Sequence, residues 1–530
     1  MKSCLFKTGC LLFILNSFVF NATAQTLYRT TLKSPPLQVK AKFDSTQVSV
    51  FMRSFPKLKR YEDELRTFYR KRDYNFAWFQ DGKLIEQAGA LRNRLLNLKA
   101  DGVYKKLTYT DLLDSLVLEK NISVALNIKL ELLLTAEYFV FSSLVWEGMD
   151  TFVSTDNNWL LPRKKVAYEL YLDSLIQSSG SASTANREPV YRQYELLKAS
   201  LGKYRDLDSR NVWVKILSNT NAKSSNTAFT ISQVKKRLFL LEDYSAKLLD
   251  SLPDNELNLA LVRFQKRHGL NPNGKIDKAT LFELNTPLKT RIQQILVNME
   301  RNRWLPVTAT GDYVAVNIPE FQMHVYNNDS LLWSSNAVVG KVANPTTLFY
   351  GEINQVVFSP YWNVPESIVK QEILPGIKRD SKYLGKHNME ITGRRNGLPI
   401  VRQKPGISNA LGQVKFLFPN SYSIYLHDTP RKSLFNESDR AFSHGCIRVE
   451  QPEKLAAFLL KDKPQWNDES IERAMQSGRE KYTSLDQKVP VFIVYLTAFI
   501  DRENKLNFRK DIYGLDPKLA ATIISGEGNY

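Results

Sequence analysis

The sequence has very few cysteines and histidines for its length. Its 530 residues include three cysteines and five histidines. Cys4 and Cys10 lie in an apolar N-terminal stretch, so Cys446 is the one thiol of the remaining chain. Without that stretch, an intramolecular disulfide is excluded. In an exported protein, a lone thiol is either a buried inert side chain or a working nucleophile.

Long apolar runs are scarce as well. The most hydrophobic internal stretch, residues 130–145, is shorter than the roughly 20 residues that a membrane span needs. Glu131 and Glu137 also interrupt it. We therefore interpret this stretch as a buried amphipathic helix.

The N-terminus has the pattern of a secretory signal. Lys2 and Lys7 give a basic start, residues 10–20 are mostly apolar, and residues 22–24 offer small side chains for cleavage. We expect residues 1–24 to be removed and the mature protein to lie in the periplasm or cell envelope.

Composition and charge narrow the class of protein. With 43% hydrophobic and 24% charged residues the chain is globular, and its length predicts two to four domains. The net charge of +19 fits either a lysine-rich surface or attraction to an anionic polymer. Because an exported protein seldom meets nucleic acid, we expect the cell wall and not nucleic acid as the partner.

Changes of hydrophobic period divide the chain. Residues 26–60 show little periodicity and are predicted to be a loose lead-in, whereas apolar residues recur at helical spacing further on. From about residue 311 the period becomes two, which is typical of strands. The predicted parts are a helical scaffold over 25–230, a small module over 231–288, a connecting helix over 289–310, a β-rich domain over 311–500 and a tail over 501–530.

The module at 231–288 has a recognisable pattern. A helix stops at Gly269, a turn forms at residues 273–274, and Asp277 or Thr280 opens another short helix. The pattern Phe-Gln-x3-Gly-Leu, followed by Gly, Thr and Leu-Asn, resembles the peptidoglycan-binding domain family. The resemblance implies a three-helix module that binds the cell wall; the alternative is a plain helical packing unit.

The residues suited to catalysis concentrate in one short stretch. Two histidines, His427 and His444, lie there with the sole remaining thiol, Cys446. An imidazole can take a proton from a thiol or stabilise the thiolate as imidazolium. Gly445 lets backbone N–H groups approach a developing oxyanion. A carbonyl or the carboxylate of Asp428 would fix the tautomer of His427.

The spacing His-x15-Ser-His-Gly-Cys resembles the signature of the L,D-transpeptidase family. The resemblance implies that Cys446 is the acyl-accepting nucleophile and His427 its base. His444 and Gly445 would then help to form the oxyanion hole. Arg448 stands where many members have asparagine and others arginine; our hypothesis for it is a contact with a substrate carboxylate.

The likeness covers residues 60–500 and points to one branch of that family. Members of this branch have a helical scaffold, an inserted peptidoglycan-binding domain and a catalytic domain with a capping subdomain. The predicted fold class is therefore multidomain α+β: a helical scaffold and a three-helix module, followed by a β-rich catalytic domain. Residues 360–413, a long insertion with few predicted strands, would form the cap.

The resemblance also implies the reaction. A stem tetrapeptide of peptidoglycan is cut between the L-centre of diaminopimelate and the terminal D-alanine, which leaves a thioester on the cysteine. An amine of an acceptor stem resolves it, giving a diaminopimelate–diaminopimelate cross-link. The family implies no metal or cofactor, and it implies carbapenem-type compounds as inhibitors.

Three aromatic residues are candidate substrate contacts. Tyr361 and Trp362 lie at the start of the insertion, where they either meet substrate or belong to the core. Tyr425 lies two residues before His427, so the two side chains share one face of a strand.

Other functions remain open from the residues alone. Water could resolve the same thioester, which would make the protein an L,D-carboxypeptidase or a cross-link-cutting peptidase. A non-catalytic peptidoglycan-binding protein would leave the placement of Cys446 unexplained. A zinc hydrolase would need His427, His444 and Cys446 as ligands, but the sequence lacks HExxH and CxxC motifs.

Overall fold

The structure is a computed structural model that describes residues 42–119, 123–177, 188–217, 228–245, 249–306 and 310–525. The predicted signal peptide, residues 1–24, and the last five residues of the predicted tail lie outside these ranges. Within them, we find no helix with the length and apolar character needed to cross a membrane.

The N-terminal part is helical, as predicted. Its helices are α1 (Thr46–Ser54), α2 (Glu62–Lys71), α3 (Glu86–Leu96), α4 (Thr110–Leu118), α5 (Val124–Ser142), α6 (Thr151–Asp156), α7 (Tyr168–Gln177) and α8 (Arg192–Ser209). Its short strands are β1 (Phe79–Gln80), β2 (Lys83–Leu84) and β3 (Trp159–Leu160). Every residue of α5 from Leu130 to Phe139 is buried, so this helix is the centre of the scaffold.

The lead-in is more regular than predicted. Val48, Phe51 and Met52 recur at helical spacing and form the buried face of α1. A 3-10 turn at Pro56–Tyr61 then joins α1 to α2. The prediction of a loose segment over 26–60 is therefore wrong for its second half.

The predicted three-helix module is present and has its own hydrophobic core. Its helices are α9 (Ala228–Leu240), α10 (Asn255–Arg267) and α11 (Lys278–Asn285). Gly269 has a positive φ of 66° just beyond α10, which suits glycine at the end of a helix. Asp277 caps α11 by accepting a hydrogen bond of 2.8 Å from the Thr280 amide.

The connecting helix, α12 (Leu288–Trp304), joins scaffold and catalytic domain through buried polar groups. On the scaffold side, Glu300 accepts a hydrogen bond of 2.6 Å from the Met149 amide. On the other side, the Asn298 amide group donates to Thr497 Oγ1 at 2.7 Å. Because buried polar groups are costly unless paired, these bonds fix how the two parts meet.

The C-terminal part is β-rich, as predicted. Its strands are β4 (Asp312–Asn317), β5 (Gln322–Asn327), β6 (Ser330–Gly340), β7 (Leu348–Phe358), β8 (Trp362–Asn363), β9 (Met389–Arg395), β10 (Leu398–Gln403), β11 (Val414–Leu417), β12 (Leu426–His427), β13 (Ala441–Ser443), β14 (Ile447–Val449), β15 (Lys481–Val494), β16 (Ala498–Ile500) and β17 (Leu506–Phe508). Its helices are α13 (Glu366–Ile368), α14 (Leu374–Arg379), α15 (Tyr383–Lys386), α16 (Pro452–Leu459), α17 (Asp468–Gln476) and α18 (Asp516–Ser525).

The main sheet closes on itself. Its order is β11-β12-β14-β6-β5-β4-β15-β7, and β11 also pairs with β7. Strand β3 of the scaffold adds to β7 in parallel through Trp159 and Leu160, so scaffold and catalytic domain share one sheet. Closure removes the exposed edges at the strands that carry the candidate nucleophile and base.

The cap is a small folded unit. Strands β8, β10 and β9 form a separate three-stranded sheet, which the sequence, with few strands predicted over 360–413, did not indicate. Val364, Ile368, Val369, Ile373 and Val401 form its own buried cluster. The cap can therefore keep its shape above the main sheet.

Residues beyond 500 belong to the catalytic domain instead of forming a separate tail. Strands β16 and β17 pair, and α18 packs on α12 through an ion pair of 2.7 Å between Arg301 and Asp516. The Tyr513 hydroxyl donates to the Gly340 carbonyl at 2.6 Å. The ordered domain thus extends to Ser525.

Candidate active site

Strands β12 and β14 bring the predicted nucleophile and base together. They run parallel, with Leu426 opposite Ile447 and His427 opposite Arg448. Paired residues point to the same face of a sheet, and the face alternates along each strand. Tyr425, His427, Cys446 and Arg448 therefore share one face.

A fifth side chain, which the sequence did not single out, joins this face. Lys415 on β11 is the register partner of His427. Its ammonium lies 3.7 Å from the Glu480 carboxylate and donates to the Tyr361 carbonyl at 3.4 Å. The position of Lys415 beside His427 follows from the pairing of β11 with β12. The sequence does not indicate it, because a loop separates the two strands in the chain.

Cys446 is half-buried just before β14. Its sulfur receives hydrogen bonds from the backbone and hydroxyl of Tyr425 and donates to the Ser423 carbonyl at 3.6 Å. Burial raises the pKa of the thiol above its ordinary value, while Tyr425 and the charge of Arg448 oppose the shift. The thiol is therefore the main form near neutral pH, and it needs a base to become a nucleophile.

His427 is buried and neutral. Burial, followed by the charge of Arg448, lowers its pKa to about 3. Its Nδ1 lies 2.5 Å from the Asp428 carbonyl, so we assign the proton to Nδ1 and the acceptor role to Nε2. The backbone of Leu411 also hydrogen-bonds to the ring. The sequence left two roles open for this imidazole: to accept the thiol proton, or to stabilise the thiolate as imidazolium. A neutral imidazole fits the first role.

Asp428 holds His427 with its backbone carbonyl. Its carboxylate is engaged elsewhere, accepting from the Gln413 amide at 2.8 Å and the Thr429 amide at 2.6 Å. The Lys432 ammonium lies 2.8 Å from the same carboxylate. The sequence predicted either a carbonyl or the Asp428 carboxylate as the group that orients His427, and the Asp428 carbonyl is the one in contact with the ring.

The loop before Cys446 turns His444 toward the cap. Gly445 has a φ of 116°, a region that favours glycine. The His444 Nε2 lies 3.2 Å from the Glu372 carboxylate of the cap. The Gly445 amide donates to Ser443 Oγ at 3.1 Å, so it is already bonded in this state.

Arg448 is a cation with spare bonding capacity. Its Nε is buried and has no hydrogen-bond partner among the described residues. Burial, and then the charge of Arg431, lowers the pKa of its guanidinium. Such a group favours an anionic ligand, because a carboxylate would supply both the missing acceptor and the opposite charge.

The two aromatic candidates at the start of the cap have structural contacts. Trp362 pairs with Gln403 in the cap sheet and packs on the cap's buried cluster. The Arg402 guanidinium lies 4.1 Å above the Tyr361 ring. Contact with substrate remains a prediction for both. Glu372 was not anticipated at all, since its partner lies on a distant segment.

The described residues contain no group of three or more His, Cys, Asp or Glu side chains placed to hold a metal ion. What the site does present is a half-buried thiol and a neutral imidazole on one face of a closed sheet, beneath a small cap. A thiol and a base so placed have the chemistry of a nucleophile and its proton acceptor.

Two regions of the chain match models of known domain families. Residues 311–481 match the model of the L,D-transpeptidase catalytic domain, YkuD, and residues 63–201 match a scaffold domain. A region similar to a scaffold domain thus precedes a region similar to an L,D-transpeptidase catalytic domain, the order that the sequence resemblance predicted.

The chain also resembles individual proteins. The chain is 35% identical over 319 residues to a Haemophilus influenzae protein named "Putative L,D-transpeptidase", across 57% of this chain and 63% of that relative. Among solved structures, it resembles an L,D-transpeptidase (Yku) from Stackebrandtia nassauensis, with 15% identity over 50% of this chain and 90% of the other, TM-score 0.22. It also resembles L,D-transpeptidase 1 of Mycobacterium tuberculosis, with 13% identity over 35% and 61%, TM-score 0.16.

Proposed function

We propose that this protein is an L,D-transpeptidase that cross-links peptidoglycan stem peptides through a thioester on Cys446. The observation that carries the proposal is the placement of Cys446 and a neutral His427 on one face of the sheet. The catalytic-domain match over residues 311–481 supports the reaction class.

In the acylation step, the Cys446 sulfur attacks the carbonyl carbon at the L-centre of diaminopimelate in a donor tetrapeptide. The thiol proton passes to Nε2 of His427, whose Nδ1–H stays bonded to the Asp428 carbonyl. The bond to the terminal D-alanine breaks, and the leaving amine takes the proton from Nε2. The product is a thioester and free D-alanine.

Backbone amides stabilise the oxyanion of this step. Because the Gly445 amide already donates to Ser443, the amide of Cys446 is the donor that we assign first. Gly445 contributes by allowing the positive φ that shapes the loop. His444 contributes by fixing the loop against the cap.

In the second step, an amine of an acceptor stem attacks the thioester carbonyl and gives its proton to His427 Nε2. The sulfur leaves as thiolate and regains that proton, so the enzyme returns to its starting state. The folded cap supports transfer over hydrolysis, since a closed cap keeps water from the thioester.

Substrate recognition uses the cations on the same face. Arg448 and Lys415 attract a stem carboxylate, and Arg448 has an unused donor for it. Tyr425 lines the site through its bond to the sulfur. The signal-like pattern of residues 1–24 supports action in the periplasm or cell envelope, where this substrate lies.

The test uses tetrapeptide muropeptides, a carbapenem and mass spectrometry of the intact protein. We expect a covalent adduct on Cys446 and, with acceptor stems present, cross-linked dimers. If tripeptide dominates even at high acceptor concentration, the enzyme is a carboxypeptidase instead. If the Cys446→Ala variant still carries the adduct, the nucleophile assignment is wrong.

A further inference from the structure

The helix α5 carries two buried glutamates, Glu131 and Glu137, which differ in their hydrogen bonding and have no role in the proposed reaction. They are at most 1% exposed, and burial raises the pKa of each to about 7. Glu131 is fully engaged: it accepts from the Tyr69 hydroxyl at 2.7 Å and from the Ala77 and Trp78 amides at 2.6 and 3.0 Å. It serves the core of the scaffold.

Glu137 has no such set of donors. Its Oε2 is buried and lacks a hydrogen-bond partner in the described part of the chain. Burial is the one cause acting on its pKa, so no neighbouring charge or hydrogen bond offsets the cost. An unsatisfied buried carboxyl destabilises a fold, and its presence calls for a ligand or another compensation.

The surroundings of Glu137 supply the space for a ligand. It lines a cavity of about 160 Å³ between α5, the Pro56–Tyr61 turn and residues 105–109. The walls near it are apolar and aromatic, with Tyr61, Tyr109 and Val140 among them. Among the described residues that line the cavity, Glu137 is the one acid.

The rim of the cavity has the opposite charge. Four basic side chains line it: Lys57, Arg60, Lys105 and Lys106. Lys57, Arg60 and Lys106 are exposed, and Lys105 is half-buried. The nearest carboxylate to Lys106 is that of Asp111, 4.0 Å away on the surface. The cavity thus combines a buried carboxyl with a strongly cationic mouth.

We propose that this scaffold cavity binds the free amino-acid end of a diamino acid, with its primary ammonium on Glu137, the carboxylate of the same carbon on the basic side chains of the lining and a short methylene chain along the aromatic walls. The ammonium would supply the donors and the charge that Glu137 lacks. The diaminopimelate end of a peptidoglycan stem has this chemistry, and so does a free diamino acid. The choice of a peptidoglycan stem as the source of the ligand rests on the proposed function. The ligand chemistry itself is argued from the cavity alone.

The test is isothermal titration calorimetry on the full chain with Cys446 alkylated, so that no thioester forms. The ligands are a diaminopimelate-containing tripeptide, free diaminopimelate and the tripeptide acetylated on its side-chain amine. We expect Glu137→Gln and amine acetylation each to weaken binding at least about tenfold, without adding to one another. Tighter binding of the tripeptide identifies the stem as source; equal affinities identify the free diamino acid.

Glu131→Gln is the matched control, since it alters a buried glutamate of the same helix without touching the cavity. We expect it to lower the melting temperature and leave affinity unchanged, whereas Glu137→Leu should raise the melting temperature. Equal affinity of wild type and Glu137→Gln, or no binding to wild type at millimolar ligand, overturns the proposal. Because Cys446 is blocked, binding is independent of turnover. Binding without cross-linking activity would refute the proposed function alone, and activity without binding would refute this site alone.

Discussion

The two histidines that accompany Cys446 have very different surroundings. His427 is 4% exposed, sits on the closed sheet and is held by the Asp428 carbonyl. The His444 side chain is 38% exposed and meets Glu372 of the cap. A base needs a fixed tautomer and must be unprotonated at rest, and His427 meets both conditions. His444 is instead suited to hold the cap to the nucleophile's loop.

Removing the thiol should have the largest effect, because Cys446 is the proposed nucleophile. We expect Cys446→Ala to lower turnover of tetrapeptide at least about 1000-fold with little change in melting temperature. Chromatography of the muropeptide products measures the loss, and thermal unfolding provides the control. Residual turnover within tenfold of wild type would show that the sheet face is not the reacting site.

The comparison itself is tested by matched substitutions of the two histidines. We expect His427→Asn to slow acylation about 100-fold or more, since general-base catalysis contributes about 10²–10⁴-fold. His444→Asn should slow it less than about tenfold. Rates of adduct formation by intact mass give both numbers. Reversed magnitudes would assign the base to His444.

Arg448 lies beside His427 on the same face of the sheet. We expect Arg448→Met to raise KM for the tetrapeptide about tenfold, because a charge-assisted hydrogen bond contributes about 1.5–3 kcal/mol. The control is a substrate with its carboxylates amidated, which should bind wild type and variant alike. A tenfold loss of kcat at unchanged KM would place Arg448 in the chemical step instead.

The smallest effect should come from breaking the contact between His444 and Glu372 of the cap. The His444–Glu372 contact joins half-exposed groups, and such pairs contribute about 0–1 kcal/mol. We expect Glu372→Gln to change acylation less than about fivefold and to raise the share of hydrolysis over transfer. The ratio of tripeptide to dimer measures this. Glu366→Gln, on an exposed ion pair elsewhere in the cap, is the control.

Much of the fold and site could be predicted because their signals are local. Residues adjacent in sequence determine three of these features: the helix end at Gly269, the N-cap of α11 at Asp277 and the strand that carries His427. The pattern around Cys446 likewise lies within one stretch. The helix α1 was missed although its apolar residues recur at helical spacing, because the segment is short.

What the sequence could not predict depends on contacts between distant segments. Lys415 reaches His427 only through the pairing of β11 with β12. Glu372 meets His444 across 72 positions of the chain, and Tyr513 reaches Gly340 from beyond the predicted catalytic domain. The carbonyl of Asp428, not its carboxylate, holds His427 because the carboxylate bonds to other backbone amides.

The most direct test of the account is the pH dependence of iodoacetamide alkylation at Cys446 in wild type and His427→Asn. Burial raises the pKa of the Cys446 thiol, and His427 is neutral, so no thiolate–imidazolium pair exists at rest. We predict that alkylation of wild type rises with pH, with a midpoint at or above about 8.5, and that His427→Asn leaves this midpoint unchanged. Wild-type reactivity that persists near pH 6 and disappears in His427→Asn would contradict the account.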